Sequence, residues 1–234
     1  MKKRNKRLQR EFITVKNKVV RLSIVTLVGV AMLILLCLAA GIIHDKRTQT
    51  KVTVNVAIDC KRPEIVEAFL TPNEYSRPQT PLNQVNGVVI HYIANPGTTG
   101  WENQHYFENL KDTHTTKVSS HFIIGLDGTI IQCIPLNEIS YASNERNGDT
   151  ISIECCHPKV DGKFTKETYH SLVTLTAWLA GRYYLEDEDI LRHFDVTGKN
   201  CPKYFVEHED KWEKLKKNVW SKLENWEKAG FTKE

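Results

Sequence analysis

The chain is predicted to carry an α/β domain built on a central mixed β-sheet flanked by helices, preceded by one transmembrane helix. Three observations predict this. Short Val- and Ile-rich runs alternate with amphipathic stretches from Gly87 onward, the pattern of strands interleaved with helices. Two of these runs, inside SSHFIIGLDGTIIQCI, are joined by the tight turn Leu126-Asp127-Gly128, which adds a hairpin to strands otherwise connected through helices. Far upstream, Leu22 to Ile43 contains no charged residue and would form a helix about 33 Å long, enough for a hydrocarbon core.

The N-terminal part is set apart by charge. Residues 1–21 hold nine Lys or Arg against the single acid Glu11, a charge of +8; the whole chain is +4, so everything after Arg21 sums to −4. The basic balance therefore belongs to the tail, and a nucleic-acid partner for the folded domain is not expected. Basic residues ahead of the apolar stretch predict a cytoplasmic tail (1–21), a signal anchor spanning the membrane (22–43) and an extracytoplasmic remainder. Leu38-Ala39-Ala40 loosely resembles a cleavage site, so a cleaved signal peptide is the rival; the apolar run exceeds the usual signal core of about 7 to 15 residues. Cys60, Cys133, Cys155, Cys156 and Cys201 lie beyond the span, and adjacent Cys155 and Cys156 on a strand point to opposite faces, which argues against a bond between them.

Residues 44–62 read as a stalk leading into a domain over residues 63–230. After Pro63, IVEAFL reads as a short helical stretch, and TPNEYSRPQTPLNQVNG, with three prolines, as an extended surface segment. VVIHYI is a buried strand, Trp101 to Leu110 a short helix, and TISIECC another strand. Thr165 to Tyr184 opens with a capping-box-like start and carries Leu172, Leu175, Trp178 and Leu179 at helical spacing. Glu207 to Ala229 is a last amphipathic helix. The composition, 41% hydrophobic and 26% charged, is that of an ordinary globular domain.

Chemistry concentrates in one short loop, RHFDVTGKNCP, which holds His193, Lys199 and Cys201, with His91 ending the apolar run Gly-Val-Val-Ile upstream. Two imidazoles and a thiolate make a zinc set with a fourth position open, the catalytic rather than the structural pattern. Taken singly, His193 fits an ordinary loop histidine and Cys201 a small buried hydrophobe, so the neighbours decide. Strand alternation places Glu154 away from Ile151 and Ile153, where a carboxylate needs a partner or a task.

In order and at their intervals, GVVIHYIANPGTT, SSHFIIGLDGTIIQCIP, DTISIECCHP and LRHFDVTGKNCP resemble the zinc-dependent N-acetylmuramoyl-L-alanine amidase family, which includes phage lysozyme-type amidases and animal peptidoglycan recognition proteins. The resemblance covers about Pro63 to Trp220. It implies that fold, a Zn2+ held by His91, His193 and Cys201, and hydrolysis of the bond between the muramoyl lactyl group and L-alanine in peptidoglycan or muropeptides by zinc-activated water. Glu154 falls on the family's acidic catalytic residue and Lys199 on its lysine. Where phage lysozyme-type members carry a catalytic Tyr this chain has Ser120, which shifts the proton transfer toward Glu154. The alternative is a non-catalytic peptidoglycan-binding receptor on the same fold, although such members typically lose a zinc ligand. His121 is expected to contact substrate, to orient a ligand or to be a satisfied core histidine. Asn95 and Trp101 after the first ligand, and Asn144 and Arg146 ahead of Glu154, are substrate-binding candidates on cleft-rim loops. A monomer is expected, with no role for His105, His114, His157, His170 or His208.

Overall fold

The computed structural model describes residues 61–231 together with Met32. The tail 1–21, the remainder of the apolar stretch 22–43 and nearly all of the stalk lie outside the described residues. Among the described residues no helix is long and apolar enough to cross a membrane.

Among the described residues six strands form one sheet. In chain order they are β1 (Val66–Glu67), β2 (Val88–Tyr92), β3 (Phe122–Ile124), β4 (Ile130–Gln132), β5 (Ile151–Cys155) and β6 (Ile190–Arg192). Across the sheet the order is β1-β4-β3-β5-β2-β6. Only the β3–β4 hairpin is antiparallel; every other neighbouring pair is parallel, so the sheet is mixed. The hairpin turn needs Gly128, which takes φ 85° and packs so close to the Glu167 carbonyl oxygen that a Cβ would stand 3.0 Å from it. Asp127 completes the turn by accepting from the Thr129 amide and hydroxyl.

Helices cover both faces. On one, α1 (Gly100–Thr113) buries Phe107 and Leu110 against Ile93, Ile123 and Ile131. Its start is a complete capping box: Glu102 N–H donates to the Thr99 hydroxyl, and the Thr99 amide donates to the Glu102 carboxylate. On the other face α2 (Lys166–Tyr183) and the long α5 (Glu209–Phe231) pack over Val88, Ile90, Phe122, Ile151 and Ile153. Two short helices, α3 (His193–Thr197) and α4 (Lys203–Glu207), lie between β6 and α5. Cys133, Cys155, Cys156 and Cys201 are all unbonded, in keeping with the opposed faces of Cys155 and Cys156.

One expectation is corrected. IVEAFL is not helical: Val66–Glu67 is the edge strand β1, and the chain stays extended as the Ala68 and Leu70 amides donate to the Gln132 and Cys133 carbonyls. A run of six residues is too short to nucleate a stable helix by itself, and an open sheet edge offers its amides better partners. The final helix also differs at its start. The chain leaves α4 at His208 before α5 begins.

Candidate metal centre

Strand alternation builds the first half of the site. Val88 and Ile90 face the α2 and α5 side, which turns His91 to the opposite face at the C-terminal end of β2. Glu154 on β5 is its in-register parallel neighbour. The second half comes from the segment after β6. Buried Arg192 donates to the Phe205 carbonyl (3.0 Å) and to Glu209 (2.6 Å) and pairs with Asp195 (2.8 Å), whose carboxylate also accepts from the Arg192 amide. His193 therefore starts α3 from a fixed point. Gly198 at φ 76° turns the chain back, and the Phe194 amide donates to the Cys201 carbonyl at 2.9 Å, which closes Cys201 onto His193.

The three groups meet. Ligand atoms of His91, His193 and Cys201 all lie within 4.8 Å of one another, and all three residues are buried. Cys201 Sγ is 3.9 Å from His91 Nδ1, and the two imidazole rings are 4.6 Å apart at 61°. Glu154 Oε1 stands 4.0 Å from the same His91 Nδ1, while Glu154 Oε2 and His193 Nδ1 are buried without a partner among the described residues. Burial, then the charges of His193 and Lys199, holds His91 well below the usual histidine range. Burial and Lys199 also lower His193, so both rings are neutral at pH 7 with a lone pair to offer. Burial pushes Glu154 up to about 8 against the opposing charge of exposed Lys199. It pushes Cys201 up to about 12, Glu154 adding to the effect.

These residues fit a zinc ion. Two neutral imidazoles and a thiol converge, one imidazole nitrogen is orphaned, and a cation would favour the thiolate that burial otherwise opposes. Three protein ligands leave one coordination position open. Two cavities, of about 750 and 740 Å³, lie elsewhere, and none of the three residues lines either.

Other expected site residues fall differently. Of the three expectations for His121, the satisfied core histidine is the one the structure matches, in place of a substrate contact: it is fully buried, its Nδ1 accepts from the Ser152 amide (3.0 Å), and its Nε2 faces the Glu138 carbonyl (2.9 Å). Both ring nitrogens are used within the fold, so His121 has none for a substrate. Arg146 is partly exposed, and its Nε pairs with Asp149 at 2.8 Å within the loop. Asn144 is exposed, and its Oδ1 lies 3.0 Å from His193 Nε2. Asn95 is exposed on the loop after β2, its carbonyl accepting from the Thr98 hydroxyl, and Trp101 is 44% exposed in the first turn of α1. Ser143 was not singled out by sequence reasoning, yet its hydroxyl is 3.2 Å from His91 Nε2. Its only signal in the chain is adjacency to Asn144.

The family described as N-acetylmuramoyl-L-alanine amidase matches residues 81–204, which contain all three residues of the cluster and Glu154. The N-acetylmuramoyl-L-alanine amidase CwlL of Bacillus licheniformis is 33% identical over 176 residues, 69% of this chain and 48% of that protein. The amidase BlyA of Bacillus subtilis (strain 168) is 30% identical over 67% of this chain and 47% of its own length. The chain thus spans about half the length of the curated relatives it matches. A solved mutant endolysin from Bacillus subtilis superposes with a TM-score of 0.56 at 25% identity, covering 68% of this chain and 99% of that one.

Proposed function

The chain belongs to the N-acetylmuramoyl-L-alanine amidase family, and from that membership we propose that it hydrolyses the amide bond between the muramoyl lactyl group and L-alanine of peptidoglycan, with one Zn2+ held by His91, His193 and Cys201. The observation that carries the reading is the buried His-His-Cys cluster beside Glu154, whose second carboxylate oxygen is buried and unpartnered. Zinc, when bound, supplies Lewis acidity, acidifying water at its open position and polarising the substrate carbonyl.

The remaining steps belong to the chain. A cation held beside Glu154 would oppose the effect of burial and keep its carboxylate ionised; Glu154 then takes a proton from the attacking water and delivers it to the departing nitrogen, because an amine leaves only when protonated. Water's oxygen bonds to the lactyl carbonyl carbon, the C–N bond breaks, and the products are a lactyl carboxylate and free L-alanine amino termini. Lys199 offers its ammonium to the oxyanion that develops, a donor whose removal costs roughly 3 kcal/mol of transition-state stabilisation. Residues 22–43 are proposed to anchor the chain in a membrane with the amidase domain on the outer side, where such a substrate lies.

The test is product release. The full-length chain in detergent is expected to free L-alanine amino termini from purified cell walls, to lose this with a chelator and to recover it with Zn2+. Tight wall binding by the zinc-loaded chain with no release would overturn the enzyme reading in favour of a receptor.

A further inference from the structure

We infer that Ser143 and Asn144, neighbours in the loop between β4 and β5, form a positioning pair that decides which nitrogen each of His91 and His193 presents to the metal. The inference rests on the zinc reading above and adds residues to it.

The two histidines are arranged alike. Each turns Nε2 toward the loop, His91 to Ser143 Oγ at 3.2 Å and His193 to Asn144 Oδ1 at 3.0 Å. Each leaves Nδ1 for the site: that of His91 faces Cys201 Sγ at 3.9 Å, and that of His193 is buried with no partner. An amide oxygen only accepts, so His193 carries its proton on Nε2 and keeps the Nδ1 lone pair bare. A serine hydroxyl can donate or accept; in the proposed pair Ser143 takes the accepting role toward His91 Nε2–H, which leaves Nδ1 to the site as in His193. A neutral imidazole has one proton, and fixing it on Nε2 fixes both the tautomer and the rotation of the ring.

The loop is held independently of the histidines it serves. Asn147 Oδ1 accepts from the Ala142 amide (3.0 Å) and the Ser143 amide (2.6 Å), and the Thr150 hydroxyl donates to the Arg146 carbonyl (2.6 Å). Asn144 sits at φ 52°, a left-handed conformation that asparagine and glycine tolerate better than other residues. These ties place two acceptors on adjacent residues, opposite ligands that are 102 positions apart in the chain.

The experiment compares N144G, N144D, S143A and S143T in the full-length chain in detergent. Glycine keeps the left-handed backbone and removes the acceptor, whereas aspartate keeps the acceptor. Zinc dissociation constants, read by competition with a chromophoric chelator, are expected to weaken 10- to 100-fold in N144G and S143A and to stay within a few-fold of wild type in N144D and S143T. Long-range proton–nitrogen spectra of the zinc-free chain are expected to show His193 protonated on Nε2 in wild type and N144D, and mixed tautomers in N144G. Zinc affinities of N144G and S143A within twofold of wild type, or a wild-type His193 protonated on Nδ1, would overturn the inference. A wild-type chain that takes up no zinc would sink the metal reading instead, and the zinc-free spectra would still decide the tautomer.

Discussion

His121 is fully buried just ahead of β3 and Glu154 is partly buried on β5, and their hydrogen bonding gives them opposite work. His121 is saturated: it links the Ser152 amide to the Glu138 carbonyl, and Ser120, Ser140 and Ser152 complete a closed hydroxyl network around it. Burial lowers it to about 4, so it is neutral at working pH and unsuited to shuttle protons. Glu154 instead keeps a buried oxygen unpartnered. A fold tolerates such an atom where a ligand or a reaction completes it. Substitution separates the two roles. Glu154→Gln is expected to retain zinc and thermal stability and to lose 10²- to 10⁴-fold in turnover, the usual contribution of a general base. His121→Ala is expected to lower unfolding free energy by about 3 kcal/mol, since it strands two buried backbone groups and opens a cavity. Chelator competition, thermal melts and single-turnover rates on both variants check the pair. A Glu154→Gln chain with near-normal turnover would remove Glu154 from the proton transfer.

Elements whose local preference agrees with the tertiary structure were legible before any coordinates: β2, β5 and the β3–β4 hairpin through β-branched runs and a glycine turn, α2 and α5 through helical spacing of apolar residues. Those defined by a neighbour were not. β1 and β6 are two and three residues long and exist because β4 and β2 offer hydrogen bonds. The convergence of His91, His193 and Cys201 could be expected from motif order, but Ser143 and the role of Asn144 depend on which ring nitrogen meets which loop atom, and no sequence period encodes that. The seat of α5 on the sheet shows a contact of the same kind. Trp212, Leu215, Val219 and Leu223 are buried along one stripe, and beside it Lys216 Nζ and Trp220 Nε1 both donate to Asp187, at 2.7 and 2.6 Å. Burial tends to raise Asp187, but these two donors outweigh it and hold the carboxyl below the usual aspartate range. A depressed value means that the ionised group stabilises the fold above its unfolded pKa near 4, and that this is lost as pH falls through the lower folded value. Asp187 is half exposed, so the contribution is about 1 kcal/mol or less. Asp187→Asn is therefore expected to lower the denaturant midpoint at pH 7, with the gap to wild type closing by about pH 2. A gap that is constant across that range would assign the effect to packing.

At the scale of the whole chain, charge and hydropathy divide what the domain does from where it does it. The domain's site offers candidate metal ligands and the carboxylate proposed as base, and neither reports a compartment. The remaining information lies in residues 1–43, where +8 of charge precedes 22 uncharged residues, while the rest of the chain sums to −4. Lysine and arginine are retained on the cytoplasmic side of a span, so this order favours an outward domain, and peptidoglycan lies on that side. Two measurements decide between the proposed anchor and its rival. The intact mass of the chain purified from membranes is expected to include residues 1–43; a species beginning just after Ala40 would show a cleaved signal peptide instead. In intact spheroplasts, added protease is expected to remove an epitope placed after Glu234 and to spare one placed before Lys2. Protection of the C-terminal epitope with loss of the N-terminal one would reverse the orientation and leave the proposed amidase on the side away from its substrate. Full protection of both epitopes would place the whole chain inside and sink the outward orientation as well.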